Sequence, residues 1–134
     1  MNTHALFVAI LLVGAVQSRR VPQKTYEIWY KLIKPYNPNC LVKANISAWY
    51  AKEITLQGFV PDQENVKRYF DCLYVSMNLF RDDGEIIREK LITLAPYMTE
   101  ALVDECIPLT KSEVLREDKS RALANCLLNA FVED

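Results

Sequence analysis

Apolar positions along the chain recur at intervals of three and four rather than two, and β-branched runs are short, so the pattern predicts helices throughout. The elements it predicts are short and often broken. A first helix over residues 23–35 carries Tyr26, Trp29, Tyr30 and Ile33 on one face; Pro35 and Asn37-Pro38 interrupt it, with Cys40 just beyond on a further turn. A second, over residues 47–56, stops at Gly58 and gives way to a loop of Phe59, Val60 and Pro61. Asp62 is the expected amino-terminal cap of a third helix over residues 63–80. In it Val66, Tyr69, Phe70, Leu73, Met77 and Phe80 form one stripe and Cys72, Val75 and Leu79 a second. A helix apolar over most of its circumference must be central, with neighbours on several sides. After Arg81-Asp82-Asp83-Gly84 come a fourth helix over residues 85–94 and a fifth over 96–106, with Pro96 in its first turn. A sixth, over residues 112–131, presents Leu115, Leu123, Leu127 and Phe131 and ends in the sequence FVED.

The apolar run from Ala5 to Val16 has another meaning. Twelve residues closed by small side chains are too few for a membrane span, which needs about 20. They read as the core of a signal peptide cut after Ser18, with Val16 three places before the cut. Residues 1–18 are thus the expected leader, and 19–134 one secreted helical domain with no stable membrane insertion.

Four cysteines, Cys40, Cys72, Cys106 and Cys126, fall in that domain, separated by 31, 33 and 19 residues. Zinc sites bring cysteines in close pairs or add histidines, so these read as two disulfides, with three pairings open.

Charge is uneven. Residues 19–52 hold seven Lys or Arg against one acid, whereas residues 53–134 hold nine against sixteen. Aromatic side chains interleaved with the basic segment could touch nucleic acid or an anionic membrane, but in a secreted chain a basic helix lying over an acidic remainder is the simpler reading, and no nucleic-acid partner is expected.

The residue inventory narrows the chemistry. The only histidine, His4, leaves with the leader, which removes imidazole-based triads and histidine-ligated metals. Paired cysteines supply no thiol nucleophile. The acids are dispersed, the Asp82-Asp83-Gly84 turn lacks the further ligands of a calcium loop, and no two glycines stand close enough for a phosphate loop. Catalytic residues, metals and cofactors are therefore not expected. Asn45-Ile46-Ser47 is a sequon that makes Asn45 a candidate for glycosylation.

A leader, about six short helices and cysteines at these intervals resemble the insect odorant-binding proteins. Supporting features are the Gly58-Phe59-Val60-Pro61 turn, the Asp82-Asp83-Gly84-Glu85-Ile86 turn, and Cys72 inside the third helix. The usual family framework has six cysteines; the two absent here would fall at Arg68 and Glu117, so the chain is similar to the four-cysteine, Minus-C subgroup. The resemblance implies bridges Cys40–Cys72 and Cys106–Cys126, and hence an all-α bundle stapled by two disulfides around an apolar cavity. The opposite charges at Arg68 and Glu117 suggest an ion pair in place of the missing bridge.

The function so implied is carriage of a small hydrophobic ligand through extracellular fluid such as sensillum lymph: an odorant, a pheromone, a fatty alcohol or ester, or an aromatic volatile. A chemoreceptor is the further partner the resemblance implies, and a monomer or weak homodimer the expected state. Expected pocket residues are Tyr30 and Ile33 from the first helix, with Phe59, Phe70, Tyr74 and Phe80 around the third. Leu94, Met98, Leu102 and Val103 follow, then Leu123, Leu127 and Phe131. Tyr74 is the expected polar contact, through its phenol. Without histidine, weak pH dependence is expected between about pH 5.5 and 7. The rival function is a secreted signalling or effector protein, such as a venom or salivary scavenger, on the same scaffold.

Overall fold

The computed structural model describes residues 19–134, and the expected leader lies outside the described residues. Among these residues there are seven helices and no strand: α1 Gln23–Ile33, α2 Asn37–Ala44, α3 Ala48–Gln57, α4 Glu64–Ser76, α5 Arg88–Ile92, α6 Glu100–Thr110 and α7 Arg116–Ala130.

Seven replace the expected six because the first breaks in two. Lys34 N–H closes α1 on Tyr30 O at 2.9 Å, and a turn over residues 34–36 follows. Pro38 then sits in the first turn of α2, where a missing N–H forfeits no helical bond. Cys40 consequently lies in a full helix.

Local chemistry sets the other ends. Ser47 Oγ caps α3 by accepting from Tyr50 N–H at 3.1 Å, and Gly58 ends it in the left-handed region at φ 72°. Asp62 does not cap α4. Gln63 holds that position without a side-chain capping bond, and the Asp62 carboxylate lies 3.4 Å from Lys67. The third helix also stops at Ser76 rather than running to residue 80. Asn78 turns left-handed at φ 58°, Leu79 N–H folds back on Tyr74 O, and Phe80 bridges Ile86 around the Asp83 turn. That bridge uses up the start of the expected fourth helix, leaving α5 five residues long. Helix α6 begins at Glu100 under a Thr99 cap, which accepts from Leu102 N–H at 3.1 Å; Pro96 lies in the turn before it. Leu115 precedes α7 at its N-cap and is exposed rather than inward-facing.

Helix α4 is central. It packs against α2 on one side and α7 on another, and Val66, Tyr69, Phe70, Cys72, Leu73 and Tyr74 are all buried. A fully buried side chain of the size of Phe70 or Leu73 contributes about 1.5–3 kcal/mol. Disulfides staple two helix pairs covalently: Cys40–Cys72 ties α2 to α4, and Cys106–Cys126 ties α6 to α7.

The joint between α4 and α7 has no disulfide, and its ionic substitute is not the expected one. Arg68 is exposed, and no ion pair links it to Glu117. Instead Arg116 grips the buried Asp71 with two bonds of 3.0 Å, Ser120 donates to Asp71 at 2.9 Å, and Lys67 meets Asp118 at 2.9 Å. Residues 67 and 71 lie one helical turn apart on the face toward α7, whereas residue 68 is about 100° around the helix.

The basic amino-terminal segment is only loosely folded onto the acidic remainder. Arg20 reaches Glu53 and Arg19 reaches Asp134, but Lys24, Lys31 and Lys34 stay exposed without ion pairs among the described residues. No described helix is long and apolar enough to cross a membrane.

Candidate functional site

Two pockets meet at Tyr26. The inner one lies in the apolar centre between α1, α4 and α7. Helix α1 with its leading residues contributes Val21, Thr25, Tyr26 and Trp29, and α3 contributes Thr55. Phe70 and Tyr74 come from α4, Tyr97 and Met98 from the turn before α6, and Leu127, Leu128 and Phe131 from the end of α7. No charged side chain is in this wall. Its free volume is about 20 Å³, close to the room one water needs. The aromatic rings close it: Trp29 meets Tyr74 edge-on at 6.3 Å between centroids, and Tyr97 meets Phe131 edge-on at 4.8 Å.

The outer pocket is larger, about 420 Å³, within the usual range for ligand sites. Tyr26 and Tyr30 stack at 6.0 Å along one side, and the Lys52 ammonium sits 5.5 Å from the Tyr26 ring. Ile33 and Asn37 extend that wall, Trp49 and Ala51 stand opposite, and Tyr69 closes the floor, its phenol donating to Asn37 Oδ1 at 2.6 Å. Tyr26 and Thr55 border both pockets, so one aromatic ring and one short side chain separate them. A third hollow, about 680 Å³, is a charged groove crossed by Arg88 and Asp104.

The phenols are held neutral. Burial pushes the Tyr74 pKa far above its ordinary value, with Tyr97 and Tyr69 adding to it. Burial acts likewise on Tyr69, helped by Tyr26 and Tyr30, and pushes Tyr97 up to about 12. Among the described residues no cluster of His, Cys, Asp and Glu could hold a metal ion.

Phe70, Tyr74, Met98, Leu127 and Phe131 of the expected pocket residues come together at the inner pocket, while Tyr30 and Ile33 line the outer one. The others lie elsewhere. Phe59 is 58% exposed, because the loop after Gly58 turns its ring outward. Phe80 lies under the Arg116 guanidinium, 6.0 Å from its ring. Val103 and Leu123 are solid core, and Leu94 and Leu102 pack against that core without reaching either pocket. Sequence reasoning missed Val21, Thr25, Thr55, Tyr97 and Leu128. Trp29 was legible as part of the first helix's buried stripe, but not as pocket wall. Asn45 of the sequon is exposed, in the left-handed region at the end of α2.

The model of the PBP/GOBP family matches residues 25–130. The chain belongs to the PBP/GOBP family. Its four cysteines, all bonded, fit the Minus-C type. Among solved structures this family member is similar to Odorant Binding Protein 7 from Anopheles gambiae, described as having four disulfide bridges and being in complex with an azo compound. The two are 19% identical, with 82% of this chain and 88% of that chain covered and a TM-score of 0.57. They share the helical fold; this PBP/GOBP chain holds it with two bridges.

Proposed function

We propose that the protein is a secreted carrier of small hydrophobic ligands, released as residues 19–134 and holding its cargo in the inner pocket. The observation that carries this reading is an uncharged, aromatic-lined pocket at the centre of a PBP/GOBP fold, walled by parts of five different segments. Ligand affinity arises from burying apolar surface, at about 25 cal/mol per Å².

The inner pocket is nearly filled by its own side chains, so binding requires them to move. Met98 is unbranched and adaptable, and Phe131 lies at the very end of α7 where the chain leaves the helix. The outer pocket serves as vestibule: a swing of Tyr26 joins it to the inner one. Odorants, pheromones and similar apolar molecules are the ligand class the family membership supports.

Titration of the oxidised chain with an environment-sensitive apolar fluorophore, followed by competition with long-chain esters, alcohols and aromatic volatiles, tests the proposal. Saturable binding near one site per chain, displaced by one of these classes, is the expected result. A correctly folded chain that binds none of them has a solid core, and the effector reading takes its place.

A further inference from the structure

Trp29, in the wall of the inner pocket, carries a fully buried donor that the protein leaves unserved. Trp29 is 7% exposed, and its indole Nε1 is, among the described residues, a buried polar atom with no hydrogen-bond partner. Two nearby hydroxyls are served: Thr55 Oγ1 donates to Ala51 O at 2.9 Å, and the Tyr69 phenol donates to Asn37 Oδ1 at 2.6 Å. A buried indole N–H ordinarily finds an acceptor, and leaving one unpaired is costly. Trp29 is also well fixed. It sits mid-way along α1, and its ring is braced edge-on against Tyr74.

A fixed, desolvated donor in an uncharged, largely apolar wall distinguishes between ligands of equal shape. A molecule that brings an acceptor satisfies it; one that does not seals it in unpaired. The same wall holds no cation, so a carboxylate would enter without a counter-charge.

We propose that the Trp29 N–H orients cargo in the inner pocket, and that it selects a neutral apolar molecule bearing one hydrogen-bond acceptor, such as a ketone, ester, aldehyde or ether, over a hydrocarbon or fatty acid of the same length. This rests on the carrier reading and narrows its ligand class.

The test compares a long-chain methyl ketone with the alkene in which a methylene group replaces the carbonyl oxygen. Both compete for a fluorophore on the oxidised chain and on Trp29→Phe, which keeps an aromatic ring but loses the donor. The ratio of ketone to alkene affinity falls about tenfold in the variant. In parallel, the indole N–H resonances of the unaltered chain are followed by nitrogen-edited NMR, with Trp49→Phe used to assign them. The ketone moves the Trp29 resonance downfield and the alkene does not. This second reading stands even where Trp29→Phe folds poorly. An unmoved indole proton, or an unchanged affinity ratio in a folded variant, while both molecules bind, overturns the role of Trp29 and leaves the carrier reading intact. Failure of both to bind removes the carrier reading and the role of Trp29 together.

Discussion

Arg116 holds Asp71 through two parallel hydrogen bonds of 3.0 Å, and the carboxylate it holds is buried against Ser120. The contact takes over the task of a covalent bridge between α4 and α7. It is a weaker device, since a disulfide typically contributes about 2–4 kcal/mol while the guanidinium remains half in solvent.

Arg116→Ala leaves Asp71 with one hydroxyl partner in a buried setting. A loss of about 2 kcal/mol in urea denaturation is expected. Arg68→Ala and Glu117→Ala are expected to stay within about 0.5 kcal/mol, as ordinary surface changes do. Equal losses at Arg68 and Arg116 would return the joint to the positions of the missing cysteines.

Two glycines offer an internally controlled comparison. Gly58 at φ 72° and Gly84 at φ 86° both occupy the left-handed region, but a Cβ on Gly58 would also strike Val132, while one on Gly84 meets open space. Gly84→Ala is expected to cost about 1 kcal/mol, the backbone preference alone. Gly58→Ala should cost more, about 2–3 kcal/mol, and should displace the segment that follows α7. Matched thermal melts of the two variants decide this.

The disulfides enclose loops of different length, with sequence separations of 32 for Cys40–Cys72 and 20 for Cys106–Cys126. Replacing either pair by serine is expected to cost about 3–4 kcal/mol, slightly more for the longer loop. Comparison of denaturation midpoints with the intact chain measures both.

No histidine occurs in residues 19–134, so the carboxylates set the acid response. The Glu85 backbone N–H, with Arg81, holds Asp83 below its ordinary value, and the Arg88 hydrogen bond does the same for Asp104. A depressed folded pKa gives stability that is present above the unfolded value, about 4, and lost as pH falls through the folded one. The buried phenols have the opposite sign. Their raised values give stability that is complete below about pH 10 and lost as pH rises toward the folded values of Tyr97, Tyr69 and Tyr74. Stability and ligand affinity should therefore be flat from about pH 5.5 to 7, falling in acid below about 4 and in alkali above about 10. A tenfold change in affinity inside the flat window would show that another group titrates.

Helical class, the centrality of α4 and the partners of the four cysteines were legible before the structure. The first two follow from apolar periodicity; the pairing follows from a family resemblance. The expected ionic joint lies one to three residues away from its true members because the family's cysteine spacing marks positions, whereas contact depends on which way a side chain leaves the helix. Lys67 and Asp71 share a face; Arg68 does not. The pocket was half legible for a related reason. Phe70, Leu127 and Phe131 lie on recognisable helical stripes, and Tyr74 lies one turn beyond Phe70 on the same helix. Val21 and Tyr97 reach it from a chain end and a turn, where no periodicity marks direction, and Thr55 is a polar residue on the buried side of α3.

Arg20 and Glu133 exchange two backbone hydrogen bonds, of 3.0 and 2.9 Å, and so bring Val21 and Phe131 to one wall of the inner pocket. In loop-closure terms, this wall of the inner pocket carries the largest entropy cost of the contacts that build it. Helices α6 and α7 can meet once a short loop closes, but the pocket waits for an encounter between opposite ends of the described chain, the longest closure the fold contains. Neither disulfide spans that closure, so a chain with both bridges formed and its ends apart lacks this wall of the inner pocket.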